Sequence, residues 1–161
     1  MQKLFDLYRS WCGADPMGVE PVAAAGSNRK YYRLTAEDGS SVIGVIGTSR
    51  DEDHAFIYLS GHFRKRQLPV PRIFAVADDE LRYLQEDLGR VSLFGAISGG
   101  RDAGGRYNRK ERQLLINTIR ELPDIQIRGA RGLDWSNCYP QPEFNEDSVL
   151  FDLNYFKYCF L

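Results

Sequence analysis

The order in which strand-like and helix-like segments follow one another constrains this chain most. Three short β-type segments come first: residues 18–24, Lys30–Thr35 with Tyr31, Tyr32 and Leu34, and Ser41–Ile46 with Val42, Ile43, Val45 and Ile46. The second and third are joined by Ala36-Glu37-Asp38-Gly39-Ser40, whose Asp-Gly pair suits a tight hairpin. The first and second are joined by a looser turn, Ala25-Gly26-Ser27-Asn28-Arg29. A helix is expected over residues 51–67, with Phe56, Leu59 and Phe63 on one face and Ala55 and Ile57 flanking it. Pro69 and Pro71 then impose an extended approach to a strand over residues 72–77. The acidic turn Asp78-Asp79-Glu80 leads to a fifth strand over residues 81–85. Five strands in a meander with one inserted helix predict an α+β fold with an antiparallel sheet, not a doubly wound one.

Helical periodicity brackets this unit. Leu4, Leu7, Tyr8 and Trp11 share one face of an amino-terminal helix that Gly13 can end. A short helix is expected over residues 91–97, and residues 98–106, with four glycines, read as a flexible linker. Asn108 with Glu111 three residues on has the form of a capping box. Leu114, Leu115, Ile119 and Leu122 continue that helix to Pro123. Residues 124–146 lack clear periodicity. A last helix over residues 148–161 is dense in Leu150, Phe151, Leu153, Tyr155, Phe156, Phe160 and Leu161, and it stops without cap, glycine or charged tail. The expectation is an incomplete chain in three parts: residues 1–89, a connecting segment 90–107, and a helical part 108–161.

Twenty-one basic residues face 22 acidic ones, a balance that argues against a dedicated nucleic-acid binder. The one dense basic cluster, Arg64-Lys65-Arg66, falls at a helix end, where cations suit the dipole. No leader-like apolar stretch follows Met1-Gln2-Lys3, and no run approaches a membrane span. Cys12, Cys138 and Cys159 are odd in number and share no metal-ligand spacing, so reduced thiols in a cytoplasmic protein are expected. His54 and His62, eight apart, lack the spacing of a zinc helix and read as surface or packing residues.

Three places could bear chemistry, and each also has a plain structural reading. The turn Gly26-Ser27-Asn28 could aim backbone N–H groups and a hydroxyl at phosphate oxygens, or be a mere hairpin turn. Glu52 could pair with a phosphate-binding cation, or simply suit the helix dipole. The run Tyr83-Leu84-Gln85-Glu86-Asp87-Leu88-Gly89 could offer backbone groups to a nucleobase, or be a polar strand end. The glycines of residues 99–105 are not a phosphate loop. Arg106 and Tyr107 stand where such a loop needs Lys and Ser or Thr.

In order and spacing, residues 25–33, Asp51-Glu52, Leu68-Pro69-Val70-Pro71 and Tyr83 to Gly89 resemble the amino-terminal lobe of the aminoglycoside phosphotransferase and choline kinase-like family. The resemblance covers roughly residues 18–90 and implies a protein-kinase-like lobe, followed by the helical beginning of a truncated carboxy-terminal lobe. It implies ATP or GTP with Mg²⁺ as cofactor of the complete protein and a small-molecule hydroxyl, such as that of a sugar or amino sugar, as acceptor. Nucleotide-binding residues would be Gly26, Ser27, Asn28 and Arg29 at the phosphates, Glu52 on the helix, and Gln85, Glu86 and Asp87 at the hinge. No catalytic residue or metal ligand is assigned. The family's strand lysine would fall at Gly44, and none of the five lysines lies on that strand, so Arg29 or Lys30 is expected to supply the charge. None of the aspartates has Asn five residues later, so the catalytic loop is expected beyond residue 161. A non-catalytic nucleotide-binding or regulatory module, and an unrelated α+β domain, are the competing readings.

Overall fold

Alternation along Val42, Ile43, Gly44, Val45 and Ile46 gives the central sheet two different faces. A computed structural model describes residues 1–23 and 28–160. Its strands are β1 (Gly18–Val22), β2 (Lys30–Thr35), β3 (Ser41–Ile46), β4 (Ile73–Val76) and β5 (Arg82–Glu86). They form one antiparallel sheet in the order β1-β2-β3-β5-β4. The helix α2 (Arg50–Lys65) carries the chain from β3 to the far edge, and β5 returns into the gap. That makes β5 central, and Tyr83 and Leu84 are fully buried. The α+β class and the five antiparallel strands are therefore as the sequence predicts. α2 starts at Arg50 because Ser49 caps it, accepting from the Glu52 N–H, and Asp51, Glu52 and Asp53 suit the dipole of its first turn. It ends at Lys65, short of the expected residue 67, because Gln67 turns left-handed at φ 58°.

One face of the sheet is covered by α1 (Gln2–Cys12), whose Leu4 and Tyr8 pack on Leu34, Val42 and Leu84. Gly13 ends α1 at φ 85°, where glycine is the easy residue. Gly44 points to this face. A Cβ there would lie 2.9 Å from Leu4 Cδ2 and 3.0 Å from Leu34 Cδ1. The expected lysine position is therefore corrected: a side chain at Gly44 faces α1, not α2 and Glu52. Both leucines are fully buried. Gly44→Ala is expected to lower the unfolding free energy by about 1–3 kcal/mol, read as a lower urea midpoint at unchanged slope. An unchanged midpoint would mean that α1 shifts without cost.

The opposite face presents Ile43, Val45 and Tyr83, with Val22, Tyr31 and Ile73 around them and Phe56 and Ile57 of α2 packed against them. Phe56 stacks on Tyr83 with ring centroids 5.5 Å apart. This face positions the candidate site.

Beyond the sheet come α3 (Leu93–Ala96), α4 (Ser98–Asp102), α5 (Arg109–Pro123), a π-helical turn Asp124–Arg128, a 3-10 turn Trp135–Asn137 and α6 (Glu146–Phe160). The capping box at Asn108 and Glu111 forms as expected. The expected flexible linker does not: Ser98–Asp102 is helical and Gly100 is buried. Glu111 Oε1 accepts the Gly100 N–H at 2.9 Å while Oε2 accepts that of Asn108 at 2.8 Å. A Cβ on Gly100 would meet Tyr107 Cδ1 at 2.3 Å, so this glycine serves close packing, not mobility. No described residue of α6 is buried. Among the described residues, no helix is long and apolar enough to cross a membrane.

Candidate functional site

Arg29 immediately precedes β2, and Glu52 and Asp53 sit in the first turn of α2. The sheet brings these segments together. Arg29 Nε donates to Asp53 Oδ1 at 2.6 Å, and Nη2 lies 3.1 Å from Glu52 Oε1 and 3.0 Å from the Glu52 carbonyl. The guanidinium also stands 5.3 Å from the Phe56 ring centroid. The Arg29 and Asp53 side chains are only 11% and 1% exposed, whereas Glu52 keeps 39%. Burial pushes the Asp53 carboxyl up, against the hydrogen bond and charge of Arg29. Its Oδ2 has no hydrogen-bond partner among the described residues and presses on Gly47, where a Cβ would lie 1.5 Å away.

The second group gathers where β5 leaves the sheet. Val22, Ala23, Tyr31, Arg33, Ile43 and residues 85–89 line an open cleft of about 320 Å³. Asp87 holds its rim together. It accepts from Arg33 Nε at 2.5 Å and Nη2 at 2.9 Å, from Ser41 Oγ at 2.6 Å and from the Gly89 N–H at 2.9 Å. The Arg33 hydrogen bonds outweigh burial and hold this carboxyl far below the usual carboxylate range. Glu86 turns toward β4, where Oε2 accepts the Arg72 N–H at 3.0 Å. Gln85 differs: its buried Oε1 has no partner among the described residues. A buried carboxamide oxygen is costly to leave unpaired, and a ligand N–H could relieve it.

Of the residues expected at the site, Arg29 and Glu52 are brought into contact, and Gln85, Glu86 and Asp87 share the cleft rim. The Asp87 carboxylate is committed within the protein, and Glu86 exchanges bonds with Arg72, its N–H donating to the Arg72 carbonyl at 2.8 Å while Oε2 accepts the Arg72 N–H. Asn28 is exposed. Gly26 and Ser27 lie outside the described residues. Asp53 and Ser41 were not anticipated, and Arg33 and Tyr83 were named only within longer runs, without a role of their own. Asp53 had one readable signal: with Phe56, Ile57 and Ser60 it falls on one side of the helix.

Mg²⁺ does not fit the described residues. No group of three or more His, Cys, Asp and Glu is arranged among them to hold a metal, and Glu52, Asp53 and Asp87 are each paired with arginine. The arrangement is an open cleft walled by Ile43 and Tyr31 beside the Arg33 guanidinium that Asp87 anchors. No protein-family model matches this sequence, and no curated protein is matched either.

Proposed function

We propose that this chain is the nucleotide-binding lobe of an ATP- or GTP-dependent phosphotransferase that acts on a small-molecule hydroxyl, such as that of a sugar or amino sugar. The observation that supports it is the Arg29–Glu52 ion pair at 3.1 Å. Phosphoryl transfer depends mostly on positioning and charge stabilisation, and a cation braced by a helix carboxylate beneath the sheet serves both. Arg29 takes the part that a strand lysine would play, from the start of β2 instead of from β3. The cleft at the β5 exit would take the base, with Gln85 at its back.

The test is a titration of the protein with ATP and with GTP, followed by NMR shifts of backbone amides. Shifts that saturate and cluster at Tyr31, Ile43 and residues 85–89 are expected. Tyr31→Ala, which removes one wall of the cleft, is expected to weaken binding on the order of tenfold. Shifts confined to other surfaces would reject the reading. A non-catalytic nucleotide-binding module is the second reading. It is favoured by Arg29 being countered by two carboxylates and by β3 carrying no lysine. Both readings predict binding; only the first predicts that a longer protein carrying the catalytic loop transfers the γ-phosphoryl group to a hydroxyl acceptor, while residues 1–161 alone transfer none.

A further inference from the structure

His54, Tyr58, His62 and Arg66 recur at every fourth position and so stack along one side of α2 and its end. Each bonds a point on residues 129–137. His54 Nε2 lies 2.9 Å from Asn137 Oδ1. Tyr58 Oη accepts the Asp134 N–H at 2.8 Å. His62 Nε2 donates to the Gly129 carbonyl at 2.8 Å, and Arg66 Nη2 donates to the Arg131 carbonyl. Arg128 returns a bond from Nη2 to the Arg66 carbonyl at 2.8 Å. The segment is thus docked along α2 by a polar seam.

The seat of His54 is unusual within that seam. Its Nδ1 faces Glu80 Oε1 at 3.0 Å, in the turn between β4 and β5. Its Nε2 faces the Asn137 oxygen, and that amide is oriented by its own nitrogen donating to the Asp134 carbonyl at 3.4 Å. Both ring nitrogens therefore face acceptors. A neutral imidazole donates from one nitrogen only; an imidazolium donates from both. His62 is set differently: Nε2 donates to a carbonyl while Nδ1 faces Arg66 Nη1 at 3.3 Å and accepts.

We propose that the seam is a proton-dependent latch, in which protonated His54 clamps residues 134–137 to α2 and to the β4–β5 turn. The charged groups facing His54 are Glu80 from that turn and Arg50 on α2 itself, whose Nε lies 3.1 Å from Glu80 Oε2. On the docked segment the Asp134 carboxylate is turned to Ser136, at 2.7 Å from its hydroxyl. The hydrogen bond to Asn137, then that to Glu80, raises the His54 pKa above its ordinary value. The latch is therefore complete below the ordinary histidine value of about 6.5 and is lost as pH rises through the raised one. Because α2 carries Glu52 and Asp53 in its first turn, the latch also bears on the cluster around Arg29. It does not depend on what the cleft binds.

The test is hydrogen exchange of the Asp134, Asn137 and Cys138 amides in the whole chain, corrected for intrinsic rates. Protection is expected to fall about fivefold between about pH 6 and about pH 8.5 as one charge-assisted bond is lost. In His54→Gln it is expected to be flat over that range. Glu80→Gln is expected to move the His54 imidazole titration, followed by NMR, to lower pH, a readout that stands even if the first variant folds poorly. Protection that is flat in the parent, or equally pH-dependent in His54→Gln, overturns the proposal, as does a His54 titration indifferent to Glu80.

Discussion

Arg29→Met is expected to cost about 3–5 kcal/mol of folding stability at neutral pH, the range seen when one partner of a buried ion pair is removed. Among the described residues Arg29 is the one cation bonded to Asp53, and the Asp53 side chain is 1% exposed. Without the guanidinium, Asp53 is an uncompensated buried charge whose second oxygen already lacks a partner among the described residues. The carboxyl can respond only by binding a proton. Its pKa is already raised in the parent, by burial first, and loss of Arg29 raises it further. The sign follows from linkage. The folded state then holds a proton that the unfolded state releases, so stability falls as pH rises above the ordinary Asp value of about 3.9. The deficit of Arg29→Met should therefore shrink on going from about pH 8 to about pH 5 in urea unfolding. Arg29→Met with Asp53→Leu should be milder than the single change, since apolar groups of similar size can replace a buried pair. A single variant that costs less than the double one would refute this account.

Local signals made most of the sheet legible. The Asp-Gly hairpin fixed β2 and β3 to the residue, because turn chemistry and strand propensity act over a few neighbours. The capping box at Asn108 and Glu111 is equally local. What could not be read depended on contacts across the chain. Val42, Ile43, Val45 and Ile46 are all apolar, so alternation alone does not say which of them meet α1 and which meet α2. Gly44 was accordingly given a place on the wrong face. In the run Asp51-Glu52-Asp53, three carboxylates look alike as partners of a helix dipole, yet only Asp53 is buried, against an arginine 24 residues earlier. Composition marked residues 98–106 as a linker because it cannot see Glu111 reaching back to Gly100. The two histidines were weighed only against metal spacing. The pattern that mattered includes Tyr58 and Arg66 and becomes visible when α2 is read as a face for hydrogen bonds.

The Arg33–Asp87 pair is expected to show the opposite dependence on acid. Its side chains are 8% and 7% exposed, and Arg33→Met is expected to cost about 3 kcal/mol at neutral pH. The figure sits at the low end of the buried range because Ser41 and the Gly89 N–H would still bond Asp87. The neighbouring Arg90–Glu20 pair, at 2.7 and 2.6 Å, is half exposed and adds little. Asp87 is held far below the usual range, chiefly by Arg33, so its contribution is whole above about pH 3.9 and is lost as pH falls through the folded value. The parent should therefore lose stability more steeply than Arg33→Met on acidification below about pH 4. Equal acid slopes would mean that Asp87 draws its stabilisation from elsewhere. The same variant bears on the cleft. Arg33 Nη2 also donates to the Gly89 carbonyl at 3.1 Å, so one side chain fixes both the carboxylate and the backbone at which β5 leaves the sheet. Loss of Arg33 should raise hydrogen exchange at residues 87–90 by more than global destabilisation explains, while the buried Val45 and Leu84 amides of the inner strands follow the global change alone. That contrast separates a rim held by one arginine from a sheet that is merely less stable.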